Sequence, residues 1–170
     1  MKDSPSQTPH PATEAQQLTD TAAVRSAMLT MCAQARHIVR LSSHRLNPDL
    51  FDTAELRSAL SHLARAFRDS EVRILVADSR SLAEHGHRLL SLSRRLSSKV
   101  VMRRVALPEH EQLPEYLLAD DWGVITFGSS EQAPTMVSLR DRPANRNLAE
   151  AFDALWQRSQ TPVELRQIVL

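Results

Sequence analysis

The chain has 170 residues, of which 42% are apolar and 24% charged, and a formal net charge of +1. That length suits one ordinary domain able to bury roughly 70% of its unfolded surface, and the balanced charge makes no case of its own for nucleic acid or a membrane. A single cysteine, Cys32, excludes an intramolecular disulfide framework and a cysteine-based zinc cluster; three scattered glycines, Gly86, Gly123 and Gly128, exclude the glycine-rich loops that hold ATP, GTP, NAD or the acetyl-CoA pyrophosphate.

Residues 1–17, with Pro5, Pro9 and Pro11 among polar residues, read as a disordered leader, and residues 18–170 as one domain. There is no signal-peptide-like run and no apolar stretch of about 18 residues, so the expected location is the cytoplasm, away from membranes. From Thr19 a helical period carries Val24, Met28, Met31 and Ala35, with Cys32 beside them as a buried small hydrophobe. A strand, His37–Ser42, and a polar loop with Asn47-Pro48 follow. Asp52 and Glu55 form a capping box for a second helix, with Phe51 and Leu56 as its staple and Leu56, Leu60, Leu63 and Phe67 as its apolar stripe.

Strand Val72–Ala77 ends on Asp78. Ser81 and Glu84 then open a third helix with Leu82, Gly86, Leu89 and Leu96 on one face, where Gly86 predicts close approach to the sheet. Strand Lys99–Val105 comes next. Strands Glu115–Ala119 and Gly123–Phe127 are at hairpin spacing, and Thr135–Leu139 is a candidate further strand. A last helix carries Leu148, Phe152, Leu155 and Trp156, with Asn147 and Glu150 placed as its cap. The order predicts an α/β domain with a mixed sheet of about five to six strands flanked by helices, parallel in its first part.

This order resembles a single repeat of the phospholipase D superfamily, whose members carry His-x-Lys, four residues, then Asp, with Gly-Ser about seven residues on. Here Asp121 is followed by Gly128-Ser129, but the histidine and lysine positions hold Pro114 and Tyr116; counted from Asp120 they hold Leu113 and Glu115. More narrowly, Val72–Asp78, Gly86–Leu90, Arg94–Ser97, Val101–Arg103, Leu117–Asp120 and Phe152–Trp156 resemble an uncharacterised bacterial phospholipase-D-like domain often found C-terminal to GNAT-type acetyltransferase domains. The resemblance covers roughly residues 35–168. It implies a site without its catalytic residues, no cofactor, and an acetyltransferase as partner. Since the superfamily joins two repeats around one site, it also implies a homodimer.

None of the seven histidines occupies the motif. His44 and His110 are the ones placed on loops near strand ends, while His85 and His87, two apart on a helix, diverge by about 200° and cannot share a metal ion. Between Arg73 and Arg104 eight basic residues face two acids, and the acidic stretch Glu109–Asp121 follows. Arg88, Arg94, Arg95, Arg103 and Arg104 are therefore candidates for anion binding, against a solvated helix face neutralised by those acids. His44, Asp78 and Asp120, with Arg103, are the candidates for a rebuilt cleft, although Asp78 can equally cap the helix after it. The sequence reads as a non-catalytic binding or assembly module. The alternatives are a divergent phosphodiesterase and a binder of nucleic acid or other polyanions through the basic helix.

Overall fold

The strand segments are short and rich in Val, Ile and Leu, and they assemble into one sheet drawn from nearly the whole chain. In the computed structural model, which describes residues 15–130 and 132–165, the order is β1 (Gln16–Leu18), α1 (Thr21–Gln34), β2 (Ile38–Ser43), α2 (Pro48–Phe51), α3 (Ala54–Ala66), β3 (Glu71–Val76), α4 (Arg80–His85), α5 (Arg88–Arg95), β4 (Val100–Arg104), β5 (Tyr116–Ala119), β6 (Gly123–Thr126), β7 (Thr135–Ser138) and α6 (Arg142–Gln157), closed by a 3-10 turn at Val163–Leu165. The sheet has seven strands in the order β1-β7-β6-β5-β2-β3-β4. β2, β3 and β4 are parallel, with Val39 beside Val72 and Val72 beside Val100; every other pairing is antiparallel.

Parallel neighbours need crossovers, and α3 and the α4–α5 pair supply them on one side of the sheet. α1, α3 and α5 cover that side over Val39, Leu41, Ile74, Val76, Met102, Leu117 and Ile125, all nearly or fully buried. α6 covers the other side with Phe152 and Trp156 against Leu75, Tyr116, Leu118 and Val124.

Several local expectations are corrected. Gln16 and Gln17, read as leader, belong to β1 and pair with Val137 and Met136, which adds the seventh strand; residues 1–14 of that leader lie outside the described residues. Three polar or weakly apolar residues carry no period by which to find them. Thr53, not Asp52, caps α3 by accepting the Leu56 N–H, and the Asn47-Pro48 loop forms the extra turn α2. The third helix is two helices. Gly86 sits between them at φ 74°, a conformation that suits glycine, and nothing lies within 4 Å of where its Cβ would be, so it ends α4 and makes no close approach. α6 begins at Arg142 under an Asp141 cap, nearly two turns before the expected Asn147.

Candidate functional site

The carboxyl ends of β2, β3 and β4 meet at one rim, the place where parallel sheets leave a crevice. Leaving β2, the His44 carbonyl accepts the N–H groups of Ala77 (3.2 Å) and Asp78 (2.8 Å), stitching the exits of β2 and β3 together. The His44 N–H donates to Glu115 Oε1 at 3.0 Å, and its ring Nδ1 accepts the Leu113 N–H at 3.2 Å, which leaves the hydrogen on Nε2. Asp78 accepts from the Arg80 backbone and Nε at 3.2 and 3.3 Å and pairs with Arg45 at 3.7 Å. The Arg80 hydrogen bonds, above all, hold its carboxyl below the usual range. Arg104 Nε donates to the Ala77 carbonyl at 3.1 Å. Together with Glu109 and Glu111 on the loop before β5, these residues line an open cleft of about 510 Å³.

The sequence candidates divide. His44 and Asp78 share this cleft, and Arg104 joins them. Asp120 does not. It lies at the opposite end of β2, at φ 48°, where its carboxylate accepts the N–H groups of Arg36, His37 and Ile38 at 2.9–3.0 Å and fixes the entry to the strand. Arg103 is on the α6 side, 4.7 Å from the Trp156 ring centre, with Nη1 donating to the Trp156 carbonyl at 3.4 Å. Arg88 is bound to Asp52: its N–H donates to Oδ1 at 2.9 Å and its guanidinium pairs at 3.3 Å. Burial works to raise the Asp52 pKa, but the Arg88 N–H, His87 and the Arg88 side chain outweigh it, so the carboxyl titrates below its ordinary value. Arg94 donates from Nε and Nη2 to the Leu165 carbonyl. Arg88 and Arg94 therefore serve the fold through Asp52 and Leu165, not through Glu109, Glu111 or Glu115. Arg95 and His110 are exposed.

His87 is buried, only 5% exposed. Its Nδ1 caps α5 by accepting the Leu89 N–H at 3.1 Å. Among the described residues its Nε2 makes no hydrogen bond, although the Leu46 backbone works to favour the charged form. Burial outweighs that and lowers the pKa of the ring. His85 is exposed on α4, so the two rings part as expected, but through the Gly86 break. Among the described residues no three His, Cys, Asp or Glu side chains stand together as metal ligands.

Sequence reasoning missed the network under α6. Arg40 of β2 forms a two-pronged pair with Asp153 (3.1 and 3.3 Å), and Arg73 of β3 reaches both Glu71 (2.9 Å) and Asp153 (3.7 Å). A signal was there: an arginine at the same register of two neighbouring buried strands.

Residues 20–168 match the family described as Domain of unknown function (DUF7931). The chain belongs to that family. No curated protein matches it. Among solved structures this DUF7931 domain is similar to TrmBL2, described as an archaeal chromatin protein with a novel mode of DNA binding (TM-score 0.64, 13% identity, 92% of this chain and 56% of that one). It is also similar to Nuc from Salmonella typhimurium, described as a phospholipase D family member (TM-score 0.58, 13% identity, 80% and 88%), and to NucT from Helicobacter pylori (0.61, 12%, 88% and 98%). At these identities the likeness establishes the fold, which is that of the phospholipase D family. The domain spans about half the length of the TrmBL2 chain.

The residues of the DUF7931 domain that the sequence sets against the phospholipase D motif have defined surroundings. In the register of Asp121 and Gly128-Ser129, the lysine position is Tyr116, 3% exposed and packed edge-on against Phe152. Its hydroxyl donates to the Leu148 carbonyl at 3.3 Å, and burial pushes its pKa up to about 12. Pro114, at the histidine position, offers its carbonyl to the Ser42 hydroxyl at 2.6 Å. Asp121 is exposed and pairs with Arg142. In the other register Leu113 is buried and Glu115 holds the His44 N–H. Among the described residues no helix is long and apolar enough to cross a membrane.

Proposed function

We propose that this domain is a non-catalytic binding or assembly module that docks a charged partner segment in the cleft at the carboxyl ends of β2, β3 and β4. The observation that carries this reading is Tyr116. Where a phosphodiesterase needs a lysine free to meet phosphate, this chain has a phenol closed under α6. Pro114 has no group that can attack phosphorus. His44 is tied at Nδ1 by Leu113 and lacks Asp120 as a companion.

The cleft's rim carries Arg45, Arg80 and Arg104 against Asp78, Glu109 and Glu111. That balance suits a segment bearing both charges better than a bare phosphate ester. The partner we propose is a GNAT-type acetyltransferase, on the strength of the sequence resemblance, with a second copy of the chain making a homodimer; the cytoplasm is the compartment this implies. The test is turnover of bis-p-nitrophenyl phosphate and single-stranded DNA. No hydrolysis above background is expected, and turnover that vanishes in His44→Ala would overturn the reading in favour of a rebuilt phosphodiesterase site. The assembly half is tested by titrating an acetyltransferase encoded beside the gene and by sedimentation at tens of micromolar.

A further inference from the structure

Beyond the basic helix that the sequence points to, exposed cations also gather along the groove between α3 and α5. Both helices are crossovers from neighbouring parallel strands, so they run side by side in the same direction. Two contacts pin them at matching ends. Asp52, just before α3, holds Arg88 at the start of α5. Lys99, just after α5, donates through Nζ to the carbonyls of Phe67, Arg68 and Ser70, just after α3.

The helical period then places the side chains. In α3 the core residues Leu56, Leu60 and Leu63 define the inward direction. Arg57, about 100° further round, takes the flank toward α5, and Ser61 and Arg65 follow it outward at spacings of four. Ala59 and Ala66 take the opposite flank, toward α1, where small side chains allow close packing. In α5 Arg88 and Arg95 are a heptad apart and share a flank, which the Arg88–Asp52 contact turns toward α3, with Ser91 between them. Arg68 and Lys99 close the lower end.

Five cations therefore border one groove, and a sixth, Arg65, stands on the outer crest of α3 beside it. Of these, Arg57, Arg65, Arg68 and Arg95 are exposed, and their side chains form no ion pair or hydrogen bond among the described residues. Three acids stand nearby: Asp52, already bound to Arg88, with Glu55 and Asp69. The two rows are about 10–12 Å long, a length over which a duplex presents about six or seven phosphates. The cations are almost all arginine, as is the whole basic complement, 19 of 21 residues. A planar fork with five donors grips phosphate oxygens two at a time. Serine hydroxyls at Ser61 and Ser91 add further donors. The nearby exposed apolar side chain is Phe67, at 36%. A groove so poor in aromatics has no platform for unstacked bases and no wedge for a bilayer.

We propose that the α3–α5 groove binds the phosphate backbone of duplex nucleic acid, without reading sequence. The groove lies on the helix side of the sheet, apart from the cleft at its carboxyl rim, and the proposal stands whether or not that cleft binds anything. The experiment is fluorescence anisotropy of a labelled duplex against the full chain over a salt series. The expected result is binding at low salt that weakens steeply as salt rises, with a log–log slope of about 3–4 for four phosphate contacts. Replacing Arg57, Arg65 and Arg95 together by Ala should lower that slope by about 2–3 and weaken low-salt binding by about tenfold or more, with the melting temperature unchanged. Arg140→Ala/Arg146→Ala, two exposed arginines beside or within α6, should bind like wild type. Absence of wild-type binding at low salt would overturn the proposal. So would a triple variant that keeps the wild-type slope, or a tighter hold on single strands than on duplex. Retention on phosphatidylserine vesicles without duplex binding would assign the groove to a membrane surface instead.

Discussion

Toward α1, α3 and α5 the central strands present Val39, Leu41, Val72, Ile74, Val100 and Met102, and the helices answer with leucines and methionines. Toward α6 the same strands present Arg40, Ser42, Arg73, Leu75 and Arg103, and the helix answers with Asp153, Phe152 and Trp156. One side is closed by apolar area and packing. The other is closed by charge pairs and by aromatic rings that carry arginine stems: Trp156 stacks on Phe152 at 5.7 Å and lies 5.6 and 4.7 Å from the guanidinium groups of Arg73 and Arg103. A sheet can thus be covered on one face by apolar packing alone and on the other by an apolar cluster crossed by charge pairs. On the second face, stability depends on partners far apart in the chain.

The largest effect that tests this contrast belongs to the apolar face. Leu60 is fully buried between α3 and the sheet. Leu60→Ala should cost about 2–5 kcal/mol through lost burial and the cavity left behind, measured by urea unfolding at neutral pH. A cost below about 1 kcal/mol would mean that this side is looser than its burial indicates.

The α6 face should respond in a different manner. Asp153→Ala leaves the Arg40 guanidinium, whose side chain is 15% exposed, with no carboxylate under α6. The expected cost is about 1.5–3 kcal/mol, the usual range for a hydrogen bond to a charged group. The paired change Arg40→Met/Asp153→Leu should recover most of that loss, because two well-packed apolar groups replace a pair whose desolvation offsets its attraction. If the double variant is as unstable as the single one, the pair does more than satisfy itself, and the contrast between the faces sharpens.

These faces also explain what could be read from sequence and what could not. Helical periods such as Leu56-Leu60-Leu63 and strand runs such as Val72–Val76 are local, so the order of elements, the parallel first half and the hairpin at Asp120–Trp122 were legible. Long-range roles were not. Asp52 looks like the cap of its own helix, but serves Arg88, 36 residues later. Asp120 looks like a motif carboxylate, but closes around three N–H groups at Arg36–Ile38. Of the candidate cleft, His44 and Asp78 were found because strand ends are recognisable. Arg45 and Arg80 were overlooked because exposed arginines beside a carboxylate carry no pattern. β1 was overlooked because three residues carry no period at all.

A smaller effect tests the break in the third helix. Gly86 at φ 74° lies where an L side chain is strained whatever the space around it. Gly86→Ala should therefore lower stability by about 1–3 kcal/mol even though its Cβ meets nothing within 4 Å. A neutral result would show that α4 and α5 can join into one helix without penalty, as the sequence period suggests.

The smallest expected signal comes from His87, the buried imidazole on the otherwise apolar side. Its ring accepts the Leu89 N–H through Nδ1, and among the described residues Nε2 makes no hydrogen bond. The accepting role of Nδ1 requires the neutral ring, with its hydrogen on Nε2. Asp52 and the Leu46 backbone pull toward protonation, Arg88 pushes against it, and burial decides, leaving the folded pKa below the usual 6.5. The sign follows from proton uptake. Above about pH 6.5 neither the folded nor the unfolded state carries the proton, and the group is silent. As pH falls below that value the unfolded chain is protonated first, so stability declines until the folded protein takes up the proton as well. Melting temperatures of wild type and His87→Asn, which keeps an acceptor to cap α5, should run parallel above pH 7 and converge or cross toward pH 5, where only the wild type carries this load. Asp52 contributes in the same direction but at lower pH, since its depressed pKa lies below the ordinary carboxylate value. A wild type whose melting temperature between pH 7 and pH 5 falls no faster than that of His87→Asn would show that the ring ionises in place, and that this side of the sheet admits more water than its packing implies.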